Sequence, residues 1–269
     1  MKFVIVFLAL LCILYVLATR CRGNYLQMAS LRGWSYAHRG LHGEGVPENS
    51  MKAFRLALEA GYGIELDIHL MKDGNLAVIH DPSLKRTAGV DVEIEDLTAE
   101  DLKNYTLEGT DETIPQFKDV LELFAGKAPL IVELKAERGN HAALAAAATA
   151  MLDSYDGAYC IESFDPRCIL WLKKNRPEII RGQLSQNFVK KNENLSLVLR
   201  IALTHLLTNF MTVPDFVAYN FEHRKDTAAN TICRKLWKGQ GVSWTLRTKE
   251  DYDQAVKEGL LPIFEYFRP

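Results

Sequence analysis

The sequence predicts an α/β fold, a (β/α)8 barrel behind one apolar N-terminal helix, on three observations. Short apolar segments alternate with helical ones from residue 35 to the end, eight strand-like segments occur, and the first twenty residues carry an unbroken apolar run. Strand–helix alternation implies parallel pairing, because parallel neighbours need a crossover. Eight such units suggest a closed barrel, although a doubly wound open sheet shows the same alternation and periodicity alone does not separate the two. The length of 269 residues allows one large domain or two small ones. With 32 Lys+Arg against 34 Asp+Glu, the chain offers no bulk positive field, so a nucleic-acid partner is disfavoured. Five cysteines, odd in number and never in CxxC spacing, argue against a disulfide framework or a zinc module.

Taken in order, the first element is FVIVFLALLCILYVLA, extended by Thr19. It reaches the short end of the roughly 17–25 residues of a spanning helix. No polar segment separates the apolar core from a cleavage site, so residues 1–19 read as an uncleaved transmembrane anchor rather than a signal peptide. Arg20, Arg22 and Arg32 follow it against Lys2 before it, a bias that slightly favours a cytoplasmic side for the domain that follows, on a single-pass membrane protein. Residues 20–34 read as a juxtamembrane linker, and residues 35–269 as the barrel domain.

Strands are expected at 35–38, 63–70, 130–135, 158–164, 179–184, 216–220, 241–246 and 261–265. Helices are expected at 50–60, 117–124, 141–152, 166–175, 196–211, 227–238 and 249–258. In the first helix Asn49 or Ser50 can cap, Met51, Phe54 and Leu58 share a face, and Gly61 stops the run. The segment 196–211 is unusually apolar for an outer helix; it reads as a buried one, the alternative being a face that lies on a membrane and brings the site to lipid. Asp73-Gly74 between two apolar-alternating runs reads as a hairpin turn. The charged, weakly patterned stretch 81–115 reads as an insertion over one end of the sheet, since loops of that length are usually functional or disordered.

The chemistry concentrates between positions 38 and 80, which hold His38, His42, His69 and His80. In GIELDIHL, alternation places Ile64, Leu66 and Ile68 on one face and Glu65, Asp67 and His69 on the other. Two carboxylates flanked by apolar residues are costly to bury without a partner, and a hard divalent cation is a natural one. Glu133 lies in another strand-like run, LIVELK, with Lys135 on the same face. Structural ion pairs among these groups are the competing reading. Arg39 offers a planar fork suited to phosphate oxygens. His38 and His80, each at a strand terminus, suit acid–base work. His69 reads as a supporting or core polar group.

The ordered set AHRG, PENS, IELD, MKDG, AVIHD, IPQF, VELK, ESFDP and VSWTL resembles the glycerophosphodiester phosphodiesterases over roughly residues 35–269. The resemblance implies a TIM barrel with an insertion after the histidine-bearing hairpin, here at about 83–113. It implies His38 and His80 as catalytic residues, and Glu65, Asp67 and Glu133 as ligands of Ca²⁺ or Mg²⁺. Arg39 and Lys135 correspond to phosphate contacts and Phe164 and Trp244 to an aromatic substrate wall, with Glu48 and Asn49 in support. The implied reaction is hydrolysis of a glycerophosphodiester to glycerol 3-phosphate and an alcohol, with the substrate's glycerol hydroxyl attacking first and water second. Two positions depart from the family pattern: Arg247 stands where Asn is common, and Glu265 where a Thr-Asp or Thr-Asn pair is usual. Both bear on substrate choice more than on reaction type. The alternatives are a lysophospholipase D acting on a lysophospholipid, and a non-catalytic membrane-tethered binding protein. The second is disfavoured because His38, Glu65, Asp67, His80 and Glu133 are all present.

Overall fold

The computed structural model describes residues 2–23, 25–192 and 195–269. Its strands are β1 (Tyr36–His38), β2 (Gly63–Leu70), β3 (Leu76–Val78), β4 (Leu130–Leu134), β5 (Tyr159–Ser163), β6 (Arg181–Ser185), β7 (Phe216–Asn220), β8 (Gln240–Leu246) and β9 (Leu261–Phe264). The sheet runs β1-β9-β8-β7-β6-β5-β4-β2, every pairing parallel, and β1 also pairs with β2. That last pairing closes the sheet, so the barrel and not the open doubly wound sheet is the fold. β3 lies outside the ring, antiparallel to β2 through the turn at Gly74, whose φ of 86° only glycine adopts without strain.

Side-chain alternation divides each strand between two environments. Ile64, Leu66 and Ile68 of β2 and Leu130, Val132 and Leu134 of β4 pack outward against helix residues Phe54, Ala57, Phe117, Phe124 and Leu144. Inside the barrel, Tyr36, Ile131, Cys160, Ile180, Val242 and Leu261 form an apolar layer at the strands' N-terminal end. A short 3-10 helix, Leu26–Leu31, closes that end with Met28 and Leu31, both buried. Two residues further along β4 and β5 the inward positions become Glu133 and Glu162. The interior thus turns from apolar to acidic toward the strands' C-terminal ends, where barrels of this kind carry their chemistry.

The helices follow from caps and stripes. Ser50 caps Met51–Glu59 by accepting from the Ala53 amide, and Asp165 caps Pro166–Asn175 at the Arg167 amide, with Pro166 in the first turn. Lys85–Ala88, Ile94–Asp96 and Asp101–Asn104 are short turns gathered on a cluster of their own, in which Leu84, Ile94, Leu97, Leu102 and Leu107 cover Met71, Ala77 and Ile79 of the hairpin.

Two expectations are corrected. The single buried helix over 196–211 is two pieces, Leu197–Thr204 and Asn209–Thr212, broken where Leu206 takes a φ of 54°. The first piece is not buried on its apolar side, for Leu197, Val198 and Ile201 are exposed. The transmembrane anchor is also overturned: among the described residues no helix is long and apolar enough to cross a membrane. Lys2–Ala18 is a helix of 17 residues, about 26 Å at 1.5 Å per residue against a hydrocarbon core of about 30 Å. Its last turn is tied to the barrel's flank, where the Trp237 indole donates to the Val16 carbonyl at 3.1 Å and Tyr15 bonds His205 at 2.9 Å. The membrane partner and the single-pass location, with its cytoplasmic lean, fall with the anchor.

Candidate active site

The acidic end of the barrel is assembled by strand register. β2 and β4 pair so that Asp67 lies beside Glu133, and β4 and β5 so that Glu133 lies beside Glu162. One carboxylate oxygen from each of Glu65, Asp67 and Glu133 falls within 4.8 Å of the others, and all three residues are buried. Two cations face them. Lys135 Nζ lies 2.7 Å from Glu133 and 3.0 Å from Asp67, and Arg39 Nε lies 3.3 Å from Asp67. Among the described residues neither Glu65 nor Glu162 has a lysine or arginine side chain as an ion-pair partner, Glu65 Oε2 accepts from the Arg39 backbone amide at 3.4 Å, and Glu162 Oε2 is buried without a hydrogen bond.

The electrostatics follow from that imbalance. Burial, reinforced by Asp67 and Glu133, pushes the Glu65 carboxyl well up. Burial likewise lifts Glu133 to about 7 against the pull of Lys135, and lifts Glu162 with help from Glu133. Asp67 goes the other way: burial would raise it, but Lys135, His80 and Arg39 hold it well below the usual range. Four buried carboxylates share two side-chain cations, and a doubly charged ion would relieve the excess. All donors in the cluster are hard oxygens, the set that Ca²⁺ and Mg²⁺ prefer. The cluster can therefore coordinate a divalent metal.

The two histidines flank this centre. His38, at the end of β1, lies with Nε2 3.8 Å from Glu65, and its Nδ1 meets Glu265 at 3.2 Å. Burial, with Arg39 adding to it, pushes the His38 imidazole down to about 4. His80 follows β3, with Nδ1 2.6 Å from Asp81. Burial lowers it too, although Asp67 pulls it up. His69 stands behind: its Nε2 bonds the His80 carbonyl at 3.1 Å, which holds the backbone that carries His80.

His38, Arg39, Glu65, His80, Glu133, Lys135, Glu162, Phe164 and Trp244 line one cleft. The Phe164 and Trp244 rings meet edge to face at 5.5 Å, and Lys135 Nζ sits 6.0 Å from the Phe164 centroid. Asn49 donates to Asp67 at 2.9 Å from behind, and Glu48 holds Arg39 at 3.0 Å. Glu48 also binds Arg86, which grips Asp81, so an ionic chain runs around the rim from Arg39 to His80. The residues singled out from the sequence thus converge. Sequence reasoning missed Glu162, Asp81 and Arg86, and gave Glu265 no task. Glu162 carried a signal, an acid on the inward face of an apolar strand one register from Glu133. Arg86 carried none beyond its charge.

Carboxylates, two cations and two imidazoles at the C-terminal mouth of a parallel barrel define a hydrolytic α/β-barrel enzyme. The chain belongs to the glycerophosphoryl diester phosphodiesterase family, whose model matches residues 38–264, and it is an enzyme acting on glycerophosphodiesters. A glycerophosphodiester phosphodiesterase of Caldanaerobacter subterraneus subsp. tengcongensis is 29% identical over 237 residues, covering 83% of this chain and 90% of that one. A lysophospholipase D of Rattus norvegicus is 38% identical over 112 residues, covering 37% of this chain and 35% of that protein. Among solved structures, an Oleispira antarctica phosphodiesterase in complex with the product sn-glycerol-3-phosphate superposes with a TM-score of 0.72 at 23% identity, over 88% of this chain and 94% of that one.

Proposed function

We propose that this chain hydrolyses a glycerophosphodiester to glycerol 3-phosphate and an alcohol by acid–base catalysis between His38 and His80. The observation that carries the reading is that both imidazoles line the same cleft as the carboxylate cluster and its two cations. Glu65, Asp67 and Glu133 would hold a Ca²⁺ or Mg²⁺ ion, which supplies positive charge against the phosphoryl oxygens when bound. Arg39 and Lys135, fixed by their carboxylate partners, bind the diester's anionic oxygens and stabilise the charge that gathers on them in the transition state. Burial lowers both imidazoles against the pull of their acidic neighbours, so the one that enters unprotonated is available as the base, and the one that serves as acid enters as the imidazolium beside its carboxylate partner. One takes the proton of the attacking hydroxyl and the other protonates the departing alkoxide. Phe164 and Trp244 cover the glycerol carbons.

His80→Ala is expected to lower turnover by about 10²-fold or more with the melting transition kept. Near-native turnover would remove His80 from the reaction. Activity on a panel of glycerophosphodiesters should vanish in EDTA and return with Ca²⁺ or Mg²⁺, and a chelator-insensitive enzyme would refute the metal assignment. The stretch shared with a lysophospholipase D gives a second reading. Choline release from lysophosphatidylcholine but not from glycerophosphocholine would favour it.

A further inference from the structure

Glu265 follows β9 at the mouth of the barrel and is 5% exposed. Its side chain does not line the cleft, yet it touches what does. Oε1 lies 3.2 Å from His38 Nδ1 and 3.2 Å from His42 Nε2, and Oε2 lies 2.8 Å from Arg247 Nη2. Its own amide donates to the Leu246 carbonyl at 2.9 Å, which joins the backbone that carries the carboxylate to the one that carries Arg247, whose half-exposed guanidinium pairs ionically with Oε2. An ionised carboxylate only accepts hydrogen bonds. Against it, His38 Nδ1 must be the protonated nitrogen, which leaves Nε2 as the free base on the side of Glu65 and the cleft.

We propose that Glu265 is a positioning residue for His38, fixing the imidazole in its Nδ1–H tautomer with Nε2 toward the substrate, and that Arg247 and His42 clamp Glu265 for this task. The inference rests on His38 being one of the two proton-transfer groups. Arg247 gives it a specific signature. A guanidinium only donates, so the amide introduced by Glu265→Gln turns its oxygen to Arg247 and its NH₂ to His38. An NH₂ there demands an unprotonated Nδ1, the wrong tautomer for a base and a clash for an imidazolium. A carboxylate-to-amide swap behind the histidine of serine proteases costs about 10⁴-fold for this reason. With contacts of 3.2 Å here, a loss in kcat of about 10²–10³-fold is expected.

The test compares kcat and KM of the wild type, Glu265→Gln, Glu265→Ala, and Glu265→Gln combined with Arg247→Ala, and reads the His38 ring nitrogens by ¹⁵N NMR. Glu265→Gln should be slower than Glu265→Ala with KM nearly unchanged, and its His38 should carry the proton on Nε2. Removing Arg247 from the Gln variant frees the amide to flip, and should return kcat by about fivefold or more and restore the Nδ1–H signal. If kcat of every Glu265 variant stays within about twofold of wild type while His38→Ala is inactive, or if His38 keeps its Nδ1 proton in Glu265→Gln, the positioning role is wrong. If His38→Ala itself retains activity, the two-histidine reading has failed instead, and the NMR result still reports whether Glu265 sets the tautomer.

Discussion

Asn49 shows how one residue serves both backbone and site. Its φ of 54° lies in the left-handed region that asparagine tolerates better than most residues, and that turn aims its amide at Asp67 Oδ2, 2.9 Å away. The bond holds one lobe of the carboxylate while Lys135 holds the other. On the proposed function, Asn49→Ala loosens a group that orients a metal ligand, an effect typically worth 10–100-fold in affinity. We expect the Mg²⁺ concentration for half-maximal turnover to rise by about that factor, measured by titrating activity with the ion. An unchanged midpoint would show that Asp67 needs no support from Asn49. Residues of this kind were partly legible in the sequence. Glu65 and Asp67 declare themselves by alternation within one strand, which needs no knowledge of neighbours. The tasks of Glu162 and Glu265 depend on register and closure, because Glu162 matters through Glu133 on β4 and Glu265 through His38 on β1, more than two hundred residues away in the chain. The two departures from the family pattern, Arg247 and Glu265, are one ion pair in space.

Elements with a local cause were found at nearly their true bounds, and those with a tertiary cause were not. The helix Met51–Glu59 starts because Ser50 Oγ accepts from Ala53, and the same hydroxyl donates to the Pro47 carbonyl at 2.7 Å, fixing the loop that carries Glu48 and Asn49. Ser50→Ala should therefore cost about 1 kcal/mol, a drop in melting temperature of roughly 2–4 °C for a domain of this size. Thermal denaturation reads it, and a shift beyond the experimental error is the condition for keeping the cap. By contrast, the apolar-rich segment 196–211 holds no glycine or proline to announce a break. The chain turns at Leu206 because that side chain is drawn fully inside, against Tyr219, Ala229 and Cys233. Packing overrode the periodicity, at the expense of leaving Val198 and Phe210 in solvent.

At the scale of the molecule, the barrel has a chemical end and a structural end, and the N-terminal segment belongs to the second. Composition announced an apolar helix correctly, but its fate depended on length and on what its last turn touches. Lys2–Ala18 has no buried residue, whereas Arg22 pairs with Asp215, Tyr36 donates to the Leu31 carbonyl at 2.7 Å, and Met28 and Leu31 plug the apolar floor. The two halves of this segment should therefore respond differently to truncation. A chain beginning at Thr19 loses the contacts of Tyr15 and Val16 at the barrel's flank, the bonds of Thr19 and Arg20 back to Val16 and Leu17 and the packing on the Asn209–Thr212 helix, all outside the cleft, and should keep kcat/KM within about twofold with a similar melting temperature. A chain beginning after Leu31 removes two side chains whose burial is worth about 1.5–3 kcal/mol each and exposes the layer they cover, against a total stability of about 5–15 kcal/mol. It should melt far lower or fail to fold. Equal stability of the two truncated chains, measured by denaturant titration, would show that the floor of the barrel closes without its plug.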